Sequence, residues 1–204
     1  RWQPCPVCQG NAKVAWLERE SGLAGDDLNV RLADFRPFPG KEVARESAGN
    51  LLAAVPKAAG FVTFWGGYGV GKSMLLKALA NGYRLAGILA VYVRMSDLLA
   101  EARSGFADDA SATETIINRF RYVRVLALDE IERINPTPWA IETMFRLIDA
   151  RYNDRGSRLT LIATNADPEK FPPALGYLSS RMTGGQVIQV GGQDVRPAMA
   201  KAEI

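Results

Sequence analysis

Eight residues, Gly66-Gly67-Tyr68-Gly69-Val70-Gly71-Lys72-Ser73, constrain this chain more than any other stretch. They match the spacing G-x-x-x-x-G-K-[ST] in full. Glycines without a Cβ let the backbone turn successive N–H groups inward around an anion. The lysine brings a mobile cation to the outer phosphates of a nucleotide, and the serine hydroxyl can ligate Mg²⁺. The string follows a short β-branched and aromatic run, Phe61 to Trp65. It opens a helical pattern from Lys72 to Leu85, with Leu75, Leu76, Leu79 and Tyr83 on one face. Strand, glycine loop and helix together are the context that phosphate binding at a helix N-terminus requires. A chance glycine-rich turn does not explain that context.

The rest of the pattern extends the same architecture. Further apolar runs at Ile88–Val93, Val123–Leu128, Leu159–Ala163 and Val187–Val190 alternate with helical stretches. Helices are expected over Lys41–Ala54, from a cap at Ser96 to Arg103, and over Ser111–Arg121, with a loop at Gly105–Asp109. Thr137 and Pro138 read as the cap and first position of another helix, whose apolar face is Ile141, Phe145, Ile148 and Tyr152. Residues 11–39 read as irregular. Short apolar strands separated by helices predict an α/β protein with a central five-stranded parallel sheet covered on both faces, a three-layer αβα arrangement. Ligands in such sheets bind beyond the carboxyl ends of the strands.

The remaining polar constellations fall at such strand ends. Val125-Leu126-Ala127-Leu128 runs into Asp129-Glu130. Beside a phosphate loop, the first acid is expected to hold Mg²⁺ and the second to polarise an attacking water. Leu159 to Thr164 leads to Asn165, whose amide is placed to reach between the γ-phosphate and that water. Gly66, Gly67, Gly69, Gly71, Lys72, Ser73 and Asp129 are thus the expected nucleotide-binding set, with Ser73 and Asp129 on the metal and Glu130 as general base.

Composition narrows the chemistry. The chain has 204 residues, 25 Lys and Arg against 22 Asp and Glu, and no His. Imidazole acid–base chemistry is excluded, and a net charge of +3 permits a nucleic-acid partner without requiring one. No apolar run approaches the roughly 18–20 residues that cross a bilayer, and no signal-peptide pattern opens the chain, so a cytoplasmic protein without a membrane partner is expected. Cys5 and Cys8 form a C-x₂-C knuckle. Two thiolates without His are half of a structural Zn²⁺ site. The second half would lie upstream of Arg1, where further chain is expected, or on a partner. A redox dithiol and two free cysteines are the other readings.

Phosphate loop, strand with Asp-Glu, strand with Thr-Asn and then Ser179-Ser180-Arg181-Met182 come in an order that resembles an AAA+ ATPase, a P-loop NTPase fold. Within that superfamily the chain resembles the DnaC/DnaI helicase loaders and the IstB transposition helpers, from about Phe35 to Arg196. GGYGVGKSMLLKALAN, VLALDEIER, LIATN, LSSRMTGG and GGQDVR carry the likeness. The cysteine knuckle resembles the zinc ribbon that precedes the ATPase module in some loader-like proteins. The expected division is therefore residues 1–33 as a partial zinc-ribbon-like segment and linker, and residues 34–204 as the ATPase domain.

The resemblance implies roles. Lys72 and Ser73 take the Walker A positions, Asp129 and Glu130 the Walker B pair, and Asn165 sensor 1. Arg181 takes the arginine finger, reaching the γ-phosphate of a neighbouring subunit in a homo-oligomer. An arginine fork there stabilises charge on the transferred phosphoryl group. A reduced or absent helical lid is implied by the short stretch after Val190, with Arg196 a weak sensor 2 candidate. The helices from Asp97 to Arg121 fall where loaders carry a steering insertion.

Single-stranded DNA and a replicative helicase are the implied partners. Arg94, Arg103, Arg119, Arg121 and Arg124 are candidate DNA contacts, and Phe106 and Phe120 candidate stacking groups. The function expected is an ATP-hydrolysing replication factor of the helicase-loader kind. The alternative is an IstB-like helper that assembles on duplex DNA and recruits a transposase. A small-molecule kinase would need an arginine-rich lid and an acceptor pocket that the sequence does not offer. An ATP-binding scaffold without turnover sits poorly with the intact Asp129-Glu130 pair.

Overall fold

The computed structural model describes residues 6–36, 39–108 and 110–194. Five parallel strands form one sheet: β1 (Gly60–Trp65), β2 (Ala90–Arg94), β3 (Val125–Asp129), β4 (Leu159–Thr164) and β5 (Gln186–Gln189), in the order β2-β3-β4-β1-β5. Helices α1 (Pro6–Glu20), α2 (Glu42–Ala53), α3 (Lys72–Leu85), α4 (Met95–Asp108), α5 (Ala110–Tyr122), α6 (Pro138–Asn153) and α7 (Gly176–Thr183) surround it. This is the three-layer α/β P-loop arrangement that the alternating pattern predicts. None of the described helices is long and apolar enough to cross a membrane.

The two-residue period of a strand divides the core. Val62, Phe64, Val125, Ala127, Leu159, Leu161 and Ala163 face one layer, with Leu75, Leu76, Leu79 and Tyr83 of α3 and Ala44 and Ala48 of α2. Phe61, Leu126, Leu128 and Ile162 face the other, filled from α4, α5, α6 and α7. Continuous burial on both faces is why these strands read as unbroken apolar runs.

Three local expectations are corrected. The stretch read as irregular contains α1. Leu17, Leu23 and Phe35 are buried, Tyr92 N donates to Ser21 O (2.8 Å), and Arg84 of α3 pairs with Glu18 (2.8 Å). The loop expected at Gly105–Asp109 is helical through Asp108. Helix α6 begins as expected, with Thr137 Oγ1 accepting from Ala140 N (3.3 Å) and Pro138 in the first turn. Its buried face, however, is Ala140, Met144, Leu147, Ile148 and Arg151. Phe145 is 42% exposed and meets Tyr177 edge-on at 5.2 Å.

That rotation has a physical cause. Arg151 is fully buried at the far edge of the sheet from the glycine loop. It donates to the carbonyls of Phe120, Arg121, Val123 and Leu159 and to Thr160 Oγ1. A cation satisfied by so many acceptors can occupy a core position that hydrophobic patterning would assign to an apolar side chain.

Candidate active site

The strand order brings together chain segments far apart in sequence. β4 lies between β1 and β3, so Asn165, just beyond β4, stands between the glycine loop after β1 and Asp129 at the end of β3. Tyr68, Gly69, Gly71, Lys72, Ser73, Asp129, Glu130, Arg133, Thr164 and Asn165 line one cavity of about 360 Å³ at the carboxyl edge of the sheet. Of the residues expected from sequence, Gly69, Gly71, Lys72, Ser73, Asp129, Glu130 and Asn165 line this cavity, and Gly66, Gly67 and Arg181 do not.

Gly71 precedes α3 with φ +101°, a conformation in which a Cβ is strained, and the Phe35 ring lies against the place where that Cβ would stand. The loop then enters α3 at Lys72, so the N–H groups of the first helical turn face the cavity. Lys72 is only 7% exposed. Its Nζ donates to Gly66 O (2.9 Å), Gly67 O (2.6 Å) and Asn165 Oδ1 (2.8 Å). The ammonium is therefore held inside the loop and already coupled to the β4 end.

Asp129 is 3% exposed, and both of its oxygens are engaged. Oδ2 accepts from the Tyr92 phenol (2.6 Å) and Oδ1 from Glu130 N (2.9 Å). Burial, and then the Asp129 charge, hold the Tyr92 phenol well above its ordinary pKa, so it stays a donor. Glu130 adopts φ +51°, the only non-glycine with positive φ among the described residues. That left-handed conformation costs about 1 kcal/mol for an ordinary residue. It turns the side chain toward the cavity, where Oε1 pairs with Arg133 Nη1 (2.8 Å) while Glu130 O accepts from Arg133 N (2.9 Å).

Sequence reasoning missed three residues. Tyr92 braces Asp129 from the neighbouring strand. Glu132 Oε1 accepts from Asn165 N (3.1 Å) and from Asn165 Nδ2, fixing the amide so that Oδ1 faces Lys72. Arg133 holds Glu130. Glu132 and Arg133 stand within the Asp-Glu motif itself, three and four residues past Asp129, and that spacing was a usable signal. Tyr92 gave none, because its partner is set only by the β2–β3 register.

Arg181 lies on α7 and does not line the cavity. Its guanidinium donates to Asp149 Oδ1 (2.7 and 3.2 Å) and stacks 4.8 Å over Tyr152. Among the other candidates, Phe120 is buried in the core and Arg124 ties the carbonyls of Pro56 and Ala58. Arg119 pairs with Glu101 (3.1 Å), and Arg121 lies over Tyr122. Arg94 and Arg103 are exposed toward the cavity end of the sheet, and Arg103 stacks on Trp139 (4.8 Å). Cys5 and Arg196 lie outside the described residues. Cys8 falls within α1, so the backbone there is helical instead of the tight turn expected of a metal knuckle. Among the described residues no group of three candidate metal ligands exists.

A parallel sheet with a glycine-loop lysine, a buried strand-end aspartate and its neighbouring glutamate around one cavity defines a P-loop protein. The chain belongs to the AAA family, the ATPase family associated with various cellular activities, which it matches over residues 62–189. It is similar to the replicative helicase loader DnaC of Escherichia coli K12, at 24% identity over 182 residues, covering 82% of this chain and 73% of that protein. The fold is similar to the crystal structure of the DnaC helicase loader (TM-score 0.64, 22% identity, 82% of this chain and all of that one). It is also similar to the replication initiator DnaA bound to AMPPCP and single-stranded DNA (TM-score 0.73, 19% identity, 86% of this chain). The chain spans 54% of that initiator.

Proposed function

We propose that this protein is an ATP-hydrolysing DNA-replication factor of the helicase-loader kind, which binds single-stranded DNA and works as an oligomer. The observation that carries the reading is the convergence of Lys72, Asp129, Glu130 and Asn165 on one cavity.

The donor set fits a magnesium–nucleotide complex. The loop has room for an anion, a lysine stands inside it, and a buried carboxylate and a hydroxyl line the same cavity. Ser73 and Asp129 would hold Mg²⁺, which would neutralise charge on the β- and γ-oxygens. Lys72 leaves its loop carbonyls for the outer phosphates. Asn165, clamped by Glu132, orients the attacking water, and Glu130 accepts its proton as the water oxygen bonds to the γ-phosphorus and the bond to the β–γ bridging oxygen breaks. Arg181 would complete the site of an adjacent subunit, leaving Asp149 to do so. This makes turnover depend on assembly.

DNA contact is supported by a second hollow of about 460 Å³ beside the first, lined by Ser96, Arg103, Ser104, Arg133 and Asn135. Cationic and hydroxyl groups next to the Arg103–Trp139 stack suit a phosphodiester chain.

The test mixes two inactive variants. Neither Glu130→Gln nor Arg181→Ala alone should turn over ATP, whereas the mixture should regain activity, because each supplies what the other lacks across an interface. Single-stranded DNA should stimulate the unchanged chain, and a ring helicase should bind it. No recovery in the mixture would remove Arg181 from the mechanism. Assembly on duplex DNA with transposase recruitment, and no helicase binding, would replace the loader reading with the transposition-helper one.

A further inference from the structure

After β5 the chain passes beside the glycine loop, with Val190 against Gly66. Val190 N donates to Trp65 O (2.7 Å) and Gly191 N to Gly40 O (2.9 Å), and Gly192 turns with φ +93° against Pro39 and Lys41. This short strap delivers Asp194 to the phosphate loop. Its carboxylate lies on the Cα of Gly69, in the space that a side chain at position 69 would fill. Gly69 is part of the wall of the nucleotide cavity. An acidic group therefore stands against a loop shaped for a polyanion. A countercharge in electrostatic reach of Asp194 is Lys41, buried 5.6 Å over the ring of Phe35, the same ring that backs Gly71.

We propose that Asp194 competes with nucleotide phosphate for the glycine loop, so that loading the site drives the strap off it. The inference deepens, and rests on, the nucleotide reading of the cavity. A triphosphate gathers several negative charges on the loop N–H groups, and a carboxylate against the same loop opposes it. Because Asp194 is exposed to solvent, that opposition is modest and screened by salt. Gly191 and Gly192 give the strap the backbone freedom to swing.

Asp194→Asn keeps the size and polarity of the side chain and removes its charge. The probes are fluorescent triphosphate and diphosphate nucleotides with Mg²⁺, titrated at low and at high salt, about 50 and 500 mM. At low salt the variant should bind the triphosphate about three- to fivefold tighter than the unchanged chain, and the diphosphate by a smaller factor. The gain should fall below about twofold at high salt. Hydrogen exchange over residues 190–194 of the unchanged chain should rise when nucleotide is added, and in the variant it should be high from the start. Equal or weaker triphosphate binding by the variant at low salt overturns the proposal, as does a strap whose exchange ignores nucleotide. If the unchanged chain binds no nucleotide, the reading of the cavity falls as well; if it binds and the variant gains nothing, the competition alone is overturned.

Discussion

The Tyr92 phenol donates a 2.6 Å hydrogen bond to Oδ2 of Asp129 across the β2–β3 pair, so the carboxylate expected to serve Mg²⁺ is aimed by a residue from a different strand. Tyr92→Phe removes the donor and leaves a buried oxygen short of a partner. Stability should fall by about 1–2 kcal/mol. Magnesium-dependent turnover should fall about tenfold, the usual effect of losing an orienting partner behind a ligand. Magnesium titrations of hydrolysis, with thermal melts of both proteins, check this. An unchanged magnesium requirement would mean that the phenol does not position the carboxylate.

Glu132 acts through Asn165 in the same way. Glu132→Ala releases the amide and should lower turnover about tenfold with little change in nucleotide affinity. Glu132→Gln keeps an acceptor oxygen and should restore most of the rate. Loss of rate in both variants would point to the charge of Glu132 instead of its hydrogen bonds.

Arg151 predicts a defect of stability without one of chemistry. Burial pushes its guanidinium down to about 9, yet it satisfies carbonyls on α5, on β4 and at Val123 in the linker before β3. Arg151→Met would strand those acceptors and should cost about 3–5 kcal/mol in denaturant unfolding. The protein that remains folded should bind nucleotide as before.

The Arg103–Trp139 stack predicts the DNA response. Arg103→Ala should weaken single-stranded DNA binding at all sequences and reduce the slope of log affinity against log salt by about one. Arg124→Ala should leave that slope unchanged, because Arg124 is committed to the carbonyls of Pro56 and Ala58.

What the sequence revealed and what it hid follow from the range of the interactions. The glycine loop, Asp129-Glu130 and Asn165 were legible because each is a local string at a strand end. The strands themselves were legible because most of their residues are apolar and buried, although β2 and β3 begin two residues later than the apolar runs, at Ala90 and Val125. The face of α6 was misread because Arg151 counts as polar in any pattern, whereas its acceptors lie on α5, on β4 and in the linker before β3. The clamp of Glu132 on Asn165 spans 33 residues and exists only because β4 inserts beside β3. The Asp194 contact likewise depends on β5 pairing with β1, which no spacing in the chain encodes.

The most direct measurement is ATP binding and hydrolysis by Glu130→Gln beside the unchanged chain, in the same buffer with Mg²⁺. If Lys72, Asp129 and Glu130 act on one nucleotide, the variant should bind ATP within about threefold of the unchanged chain and lose at least about 100-fold in turnover. Turnover that survives the substitution, or ATP binding that Lys72→Ala does not weaken, would contradict the account.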